Sequence, residues 1–322
     1  MLGAISNFLL RRLGVSILTL FAIATATFIL MHLVPGDPFA EESVTAPPET
    51  LAAIRHYYGL DDPLHLQYSR YILQVFTFDF GPSLKYPSQT VNQIIFGSLP
   101  ISATLGLEAL LFAIPCGILF GTLAALNSRG YSNVLLTSFA VLGVSIPTFV
   151  LAAGLQFLFA FHYPIFPVAR WGSFAHTVLP ALALAIGPTC YIARLLRVNM
   201  LEVFGKEYIQ VARLKGLKES RVVFIHVLKN AIIPILSYLG PITTNVLVGS
   251  FAVERVFGIP GLGLWFVNSV INRDFPVIGG LTLFYSILLI FNHTVIDLLC
   301  AILNPESKGM LKASAKRVKV TA

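Results

Sequence analysis

Apolar residues in this chain do not alternate with polar ones at the period of a strand or a surface helix. They run on uncharged for some twenty positions at a time, then give way to short polar segments. Six such runs occur: 13–34, 99–126 (interrupted only by Glu108), 134–161, 177–193, 231–253 and 279–303 (interrupted only by Asp297). The fourth is free of charge back to Trp171, so its start is open. About 20 apolar residues carry a helix across the ~30 Å hydrocarbon layer. The pattern predicts an all-α integral membrane protein, one domain over 1–322, with six transmembrane helices and both termini on one side. Pro115, Pro147, Pro188, Pro234 and Pro241 lie within runs two to five and predict kinked spans.

Three segments between the runs carry other patterns. Segment 35–98 is aromatic, with Tyr57, Tyr58, Tyr68, Tyr71, Phe76, Phe78 and Phe80. Residues 64–76 have helical spacing, which predicts a small, mostly helical cap on the outer membrane face; an interfacial aromatic belt is the plainer alternative. Segment 194–230 reads as two amphipathic helices. The first, within 199–215, interleaves Leu201, Phe204, Tyr208, Val211 and Ala212 with charges, and Gly216 fits the left-handed position that ends it. The second, within 218–229, repeats Val222, Val223, Ile225 and Leu228. Such a pair suits a groove on a cytosolic partner, or lies flat on anionic lipid. Segment 254–278 contains Phe257-Gly258-Ile259-Pro260-Gly261-Leu262-Gly263, whose glycines and proline demand a tight turn. Trp265, Phe266 and Phe275 follow, which suggests either a gate beside a translocation path or a re-entrant packing loop.

Composition sharpens the picture. Of 322 residues, 56% are hydrophobic and 11% charged, too few charges to clothe two soluble domains. With the termini inside, inner segments carry 16 of the 22 Lys and Arg residues and outer segments carry 6. This bias places both termini in the cytoplasm and makes the net charge of +7 a topology signal, with no aromatic-laced basic face for nucleic acid. The first run is too long for a signal-peptide core and lacks a small-residue cleavage site. Cys116, Cys190 and Cys300 sit in apolar stretches without metal or disulfide spacing.

The chemistry-bearing motifs are mostly absent. Gly205-Lys206 is followed by Glu207, so no phosphate-binding loop occurs, and neither His-Glu-x-x-His nor Gly-x-Ser-x-Gly is present. Glu108 and Asp297 are ionisable groups inside runs, a functional hypothesis in themselves. They fit structural pairing (Asp297 with Arg194 or Arg197), pathway lining, or ion coupling in a secondary carrier, although no related halves are visible.

Glu207-Tyr208-Ile209-Gln210-Val211-Ala212-Arg213-Leu214-Lys215-Gly216-Leu217, followed by His226-Val227-Leu228-Lys229-Asn230, resembles the coupling loop of ABC importer permeases of the oligopeptide/dipeptide/nickel family. The resemblance covers nearly the whole chain. It includes Pro35-Gly36-Asp37-Pro38, Gly59-Leu60-Asp61-Asp62-Pro63, Ser145-Ile146-Pro147-Thr148-Phe149, Leu179-Pro180-Ala181 and Glu254-Arg255-Val256-Phe257 with Pro260-Gly261-Leu262-Gly263. One departure is Gln210-Val211-Ala212 where the general motif has Glu-Ala-Ala.

The resemblance implies a bacterial inner-membrane subunit without enzymatic activity that forms half of a peptide pathway by alternating access. Its implied partners are a second homologous permease, two ATP-binding subunits, an extracytoplasmic substrate-binding protein and membrane lipid. This chain would hold no cofactor, and ATP and Mg would bind the partner subunits. Glu207, Tyr208, Gln210, Ala212, Arg213, Lys215 and Gly216 would couple to the ATPase. Glu254, Phe257, Pro260, Gly261 and Gly263 would form the outer gate or docking site. Nickel chelates are an alternative cargo within the same family.

Overall fold

The computed structural model describes residues 2–33, 38–39, 47–128, 130–247 and 251–303. Their regular structure is helical, apart from an isolated bridge between Pro82 and Thr90. In chain order the helices are α1 (Leu2–Leu33), α2 (Pro48–Tyr58), α3 (Leu64–Thr77), α4 (Val91–Leu126), α5 (Tyr131–Ser145), α6 (Thr148–Gln156), α7 (Ala175–Phe204) and α8 (Glu207–Leu214). There follow α9 (Glu219–Arg221), α10 (Leu228–Ala231), α11 (Ile233–Leu247), α12 (Phe251–Phe257), α13 (Leu262–Asn272) and α14 (Phe275–Leu303). Wider π-helical turns extend α6 through Phe157–His162 and join α9 to α10 through Val222–Val227.

Among the described residues, four helices are long and apolar enough to cross a membrane: Arg12–Leu33, Val91–Leu126, Ala175–Phe204 and Phe275–Ile296. The third run is bent, and a second break falls at the start of the fifth. Asn133–Ser145 and Thr148–His162 meet at 104°, and Glu219–Ala231 and Ile233–Thr243 meet at 50°. The third run is therefore two helices that meet at about a right angle. Proline disfavours helical backbone at the residue before it, and Ile146 is extended, with φ −82° and ψ 126°. At the second break Ile232 stays in the helical region (φ −80°, ψ −18°), and Pro234 is the second residue of α11. Pro115, Pro188 and Pro241 remain inside continuous helices.

Helices α4 and α7 form the most extensive pair in the molecule. Ala109, Ala113, Gly117, Gly121 and Ala125 recur every fourth residue, so they share one face of α4, and all are buried. A Cβ on Gly117 would lie 2.7 Å from Ile192 Cβ, and one on Gly121 2.7 Å from the Ala193 carbonyl oxygen. The two backbones meet because these side chains are missing, the usual device where lipid offers no hydrophobic drive. A capping box at Thr90 starts α4: Gln93 N–H donates to Thr90 Oγ1 (3.2 Å), and Thr90 N–H donates to Gln93 Oε1 (2.9 Å).

Three apolar clusters succeed one another along α4. Val91, Ile94 and Ile95 at its start pack with Tyr71, Phe80, Leu262 and Leu281. Leu105, Ala109 and Ala113 in its middle pack with Leu179, Ala183, Val253 and Phe257. Ala125 at its end joins Ile192, Leu196, Met200, Ile209, Val222 and Val227. Cluster membership thus orders the molecule from an α3/α13 end to an α8 end.

Candidate functional site

At the first end, the predicted turn at 257–263 is a short connection between two helices. Gly258 takes φ +60°, and Gly261 is the extended residue from which α13 starts. Trp265 and Phe266 consequently lie on α13 and not in a loop. Beneath the turn sits Glu254, only 1% exposed. Ser102 Oγ on α4 donates to its Oε1 (2.8 Å), and Leu264 N–H donates to its Oε2 (2.9 Å). Leu262 N–H donates in turn to Ser102 Oγ (2.9 Å). A Cβ at Gly261 would lie 2.5 Å from the Glu254 carboxyl carbon, so only glycine leaves room for the charge. Burial pushes the Glu254 carboxyl above its usual range, and the Leu264 and Ser102 donors pull it partly back.

Neighbouring segments are tied to the same turn. Arg170 N–H donates to the Phe257 carbonyl (2.8 Å), and the Gln156 amide bridges Val168 O (2.7 Å) and Val256 O (3.0 Å). A second buried carboxylate, Asp274, precedes α14. It accepts from Ser83 Oγ, from Leu84 N–H (3.1 Å) and from Val277 N–H (3.4 Å). Segment 83–84 is thereby fastened to the α13–α14 connection. Gly279 and Gly280 let Tyr71 and Phe80 sit directly on α14, since a Cβ at either would lie within 3.2 Å of those rings. Of the five residues assigned to an outer gate, Glu254, Phe257, Gly261 and Gly263 are buried and Pro260 is exposed.

At the other end, α7 continues to Phe204, and α8 is a separate helix after Gly205-Lys206. The predicted single helix over 199–215 is thus two. Helix α8 is anchored by Ile209 and Ala212, both buried against Met200, Val222 and Val227. Gly216 closes it at φ +76°, with Leu217 N–H reaching back to Ala212 O (3.4 Å). Glu207, Tyr208, Gln210, Arg213 and Lys215 are exposed, and so are Val211 and Leu214. Leu214 is 87% exposed. Arg213 is engaged within the chain: its Nη2 and Nε meet Glu219 at 2.5 and 3.2 Å, and its guanidinium lies 5.6 Å from the Phe204 ring centre. Asn230 Nδ2 donates to Tyr208 OH (3.3 Å), which ties α8 to α10.

Glu108 is half-buried on α4 and has no hydrogen-bond or ion-pair partner among the described residues. Asp297 belongs to α14, and its side chain lies outside the described residues. Among the described residues, no group of three His, Cys, Asp or Glu side chains could hold a metal. Pattern alone does not single out Ser102, Ser83, Gln156 or Asp274. Each is one polar residue whose partner lies far along the chain, 152 residues away for Ser102.

This arrangement is that of a membrane subunit with one end closed internally and one end presenting a helix. Residues 117–309 match the family described as "Binding-protein-dependent transport system inner membrane component", and residues 5–105 match the corresponding N-terminal family. The chain belongs to this family and is a multi-pass membrane protein. It is 43% identical to the dipeptide transport system permease protein DppB of Bacillus subtilis (strain 168), over 94% of this chain and 98% of that one. It is 40% identical to the oligopeptide transport system permease protein OppB of Haemophilus influenzae, over 93% and 98%. Among solved structures, an amino acid ABC transporter chain superposes with a TM-score of 0.52 at 18% identity, over 65% of this chain and 93% of that one. A chain of the MetNI methionine ABC transporter does so at 0.50 and 16%, over 64% and 92%. These two establish likeness of fold.

Proposed function

We propose that this chain forms half of the translocation pathway of an ATP-driven peptide importer, in a complex with a second permease, two ATP-binding subunits and an extracytoplasmic binding protein. Helix α8 carries this reading: two buried residues hold it rigidly while Tyr208, Val211 and Leu214 face outward. An apolar face on an otherwise charged helix fits a groove in a partner. In this reading six spans cross the membrane, the bent third run counting once and the fifth beginning at the break before Ile233. Both termini face the cytoplasm, and segment 194–230 couples to the ATPase. Segments 35–98 and 254–278 form the outer cap and gate region. Nucleotide and Mg bind the partners, since the chain has no phosphate-binding loop. Peptide cargo is supported by the relatives named for dipeptide and oligopeptide transport.

Nucleotide-driven closure of the ATPases would draw α8 along. Gly216 and the π-helical turn through Val222–Val227 would transmit the movement to the break before α11. The test is purification from membranes in mild detergent, with identification of the retained subunits and an ATPase assay. Recovery of a second permease and a P-loop ATPase is the expected result, with the ATPase lost in Leu214→Asp. A lone chain without ATPase activity overturns the proposal, as does uptake that collapses with the proton gradient and requires Glu108.

A further inference from the structure

Between α5 and α7, on the α8 side of the molecule, lies a groove of about 240 Å³ that the coupling role leaves unused. Its apolar lining comes from Phe120, Leu136, Ala140 and Val198, and its polar lining from Thr137, Arg194 and Arg197. No Asp or Glu lines it. Arg194 makes no hydrogen bond or ion pair among the described residues. Arg197 makes one: its Nε donates to Asn133 Oδ1 (2.7 Å). Asn133 is itself fixed through Nδ2 to Ser128 O (2.9 Å), and Thr137 Oγ1 donates to its Oδ1 (3.3 Å). The bond at Nε sets the plane of the Arg197 guanidinium and leaves its terminal nitrogens uncommitted.

Depth matters as much as charge. The apolar stretch of α7 begins near Thr177. At 1.5 Å per residue, Arg194 lies about 26 Å further along the helix and Arg197 about 30 Å, where the hydrocarbon layer ends and headgroup phosphates begin. Three residues apart on one helix, the two guanidiniums share a face. A cation unpaired among the described residues, beside a pre-oriented guanidinium and above an apolar cleft at headgroup depth, is complementary to one kind of molecule. It carries a negative phosphate attached to an acyl chain.

We propose that this groove is a binding site for an anionic phospholipid of the leaflet on the α8 side. Arg197 holds the phosphodiester as a planar fork, with Asn133 as its positioning residue. Arg194 adds a second cation, and the first carbons of one chain lie against Phe120, Leu136 and Ala140. Because Arg197 belongs to the helix that leads directly to α8, occupancy braces the α5–α7 contact at the base of the coupling segment.

Native mass spectrometry of the purified membrane complex, titrated with dioleoylphosphatidylglycerol, tests this. Each cation near an anionic headgroup is worth roughly fivefold in affinity, so Arg194→Gln should weaken retention about that much and Arg194→Gln/Arg197→Gln roughly thirtyfold. Dioleoylphosphatidylcholine should show no such dependence. Arg194→Gln removes no bond, so it decides the matter even if the double variant fails to fold. Equal retention of phosphatidylglycerol by wild type and Arg194→Gln overturns the site. Displacement of the lipid by millimolar inorganic phosphate would show a bare anion site and overturn the lipid assignment.

Discussion

The two ends of the molecule handle polar and apolar groups in opposite ways. At the α12–α13 end, two carboxylates are buried, and both are satisfied from within, each by a donor at least 152 residues away: Ser102, with Leu264, for Glu254, and Ser83 and Leu84 for Asp274. At the α8 end the charges lie outside, and what remains uncovered is apolar: Tyr208, Val211 and Leu214. A buried carboxylate with its donors needs nothing further, whereas an exposed leucine on a rigid helix is completed only by another surface. One end is finished by its own chain. In the proposed reading, the other is finished by a partner.

That contrast is broken most severely between the two ends, at the α4–α7 seam that joins them. Gly121→Leu places a side chain where even a Cβ would lie 2.7 Å from the Ala193 carbonyl. Overpacking of this kind costs about 1–3 kcal/mol when a core can shift, and backbone facing backbone has little room to do so. We expect loss of monodisperse protein in detergent and a large fall in thermal stability, with Gly14→Leu, where nothing lies within 4 Å, as the neutral counterpart. Equal stability of the two variants would refute the seam.

Next comes the closed end itself. Glu254→Ala strands Ser102 Oγ–H and Leu264 N–H in a buried site, at about 1–3 kcal/mol for a group left unmade. Glu254→Gln keeps an acceptor and should lose less. The pH dependence has a definite sign. Burial raises the Glu254 carboxyl in the folded state, so the fold binds this proton more tightly than the unfolded chain does. Its contribution is therefore present at low pH and lost as pH rises through the raised value. The thermal stability of wild type relative to Glu254→Gln should fall as pH rises through that raised value; a gap that widens with pH would contradict the assignment.

What could be read from the chain follows the same division. Local features were legible because each rests on neighbours: the long apolar runs, the helix at 64–76, and the left-handed glycine at 216. The small-residue stripe from Ala109 to Ala125 was equally open to inspection, but hydropathy counts Gly and Ala merely as apolar and hides their spacing. The right-angle break at Ile146–Pro147 was legible as a proline and not as an angle, since Pro115 and Pro188 sit in unbroken helices. Ser102, Asp274 and Gln156 were illegible for another reason: each matters through a partner far away in sequence. Arg213 stood out as a docking cation, yet its guanidinium is held by Glu219 and lies over Phe204.

A smaller effect tests that Arg213 pairing. Both side chains are about half exposed, and exposed pairs are worth about 0.2–1 kcal/mol. Arg213→Ala should lower thermal stability by no more than this, as should Glu219→Ala. The double variant should fall short of the sum of the two, and raised salt should erase the coupling. Strict additivity would mean that Arg213 acts outward and not toward Glu219.

The smallest effect on the fold carries the most about function. Leu214 is 87% exposed and belongs to none of the three apolar clusters, so Leu214→Asp should leave stability within about 0.5 kcal/mol. The same carboxylate would be buried without a partner if α8 seats in a groove, and an unpaired charge there is strongly unfavourable. Retention of the ATP-binding subunit and substrate-stimulated ATPase activity should both disappear while the melting curve stays put. Ile209→Asp should do the reverse, damaging the fold first, because Ile209 is the buried foot of the same helix. If both substitutions act through stability alone, α8 is a structural helix, and the two ends of the molecule are alike after all.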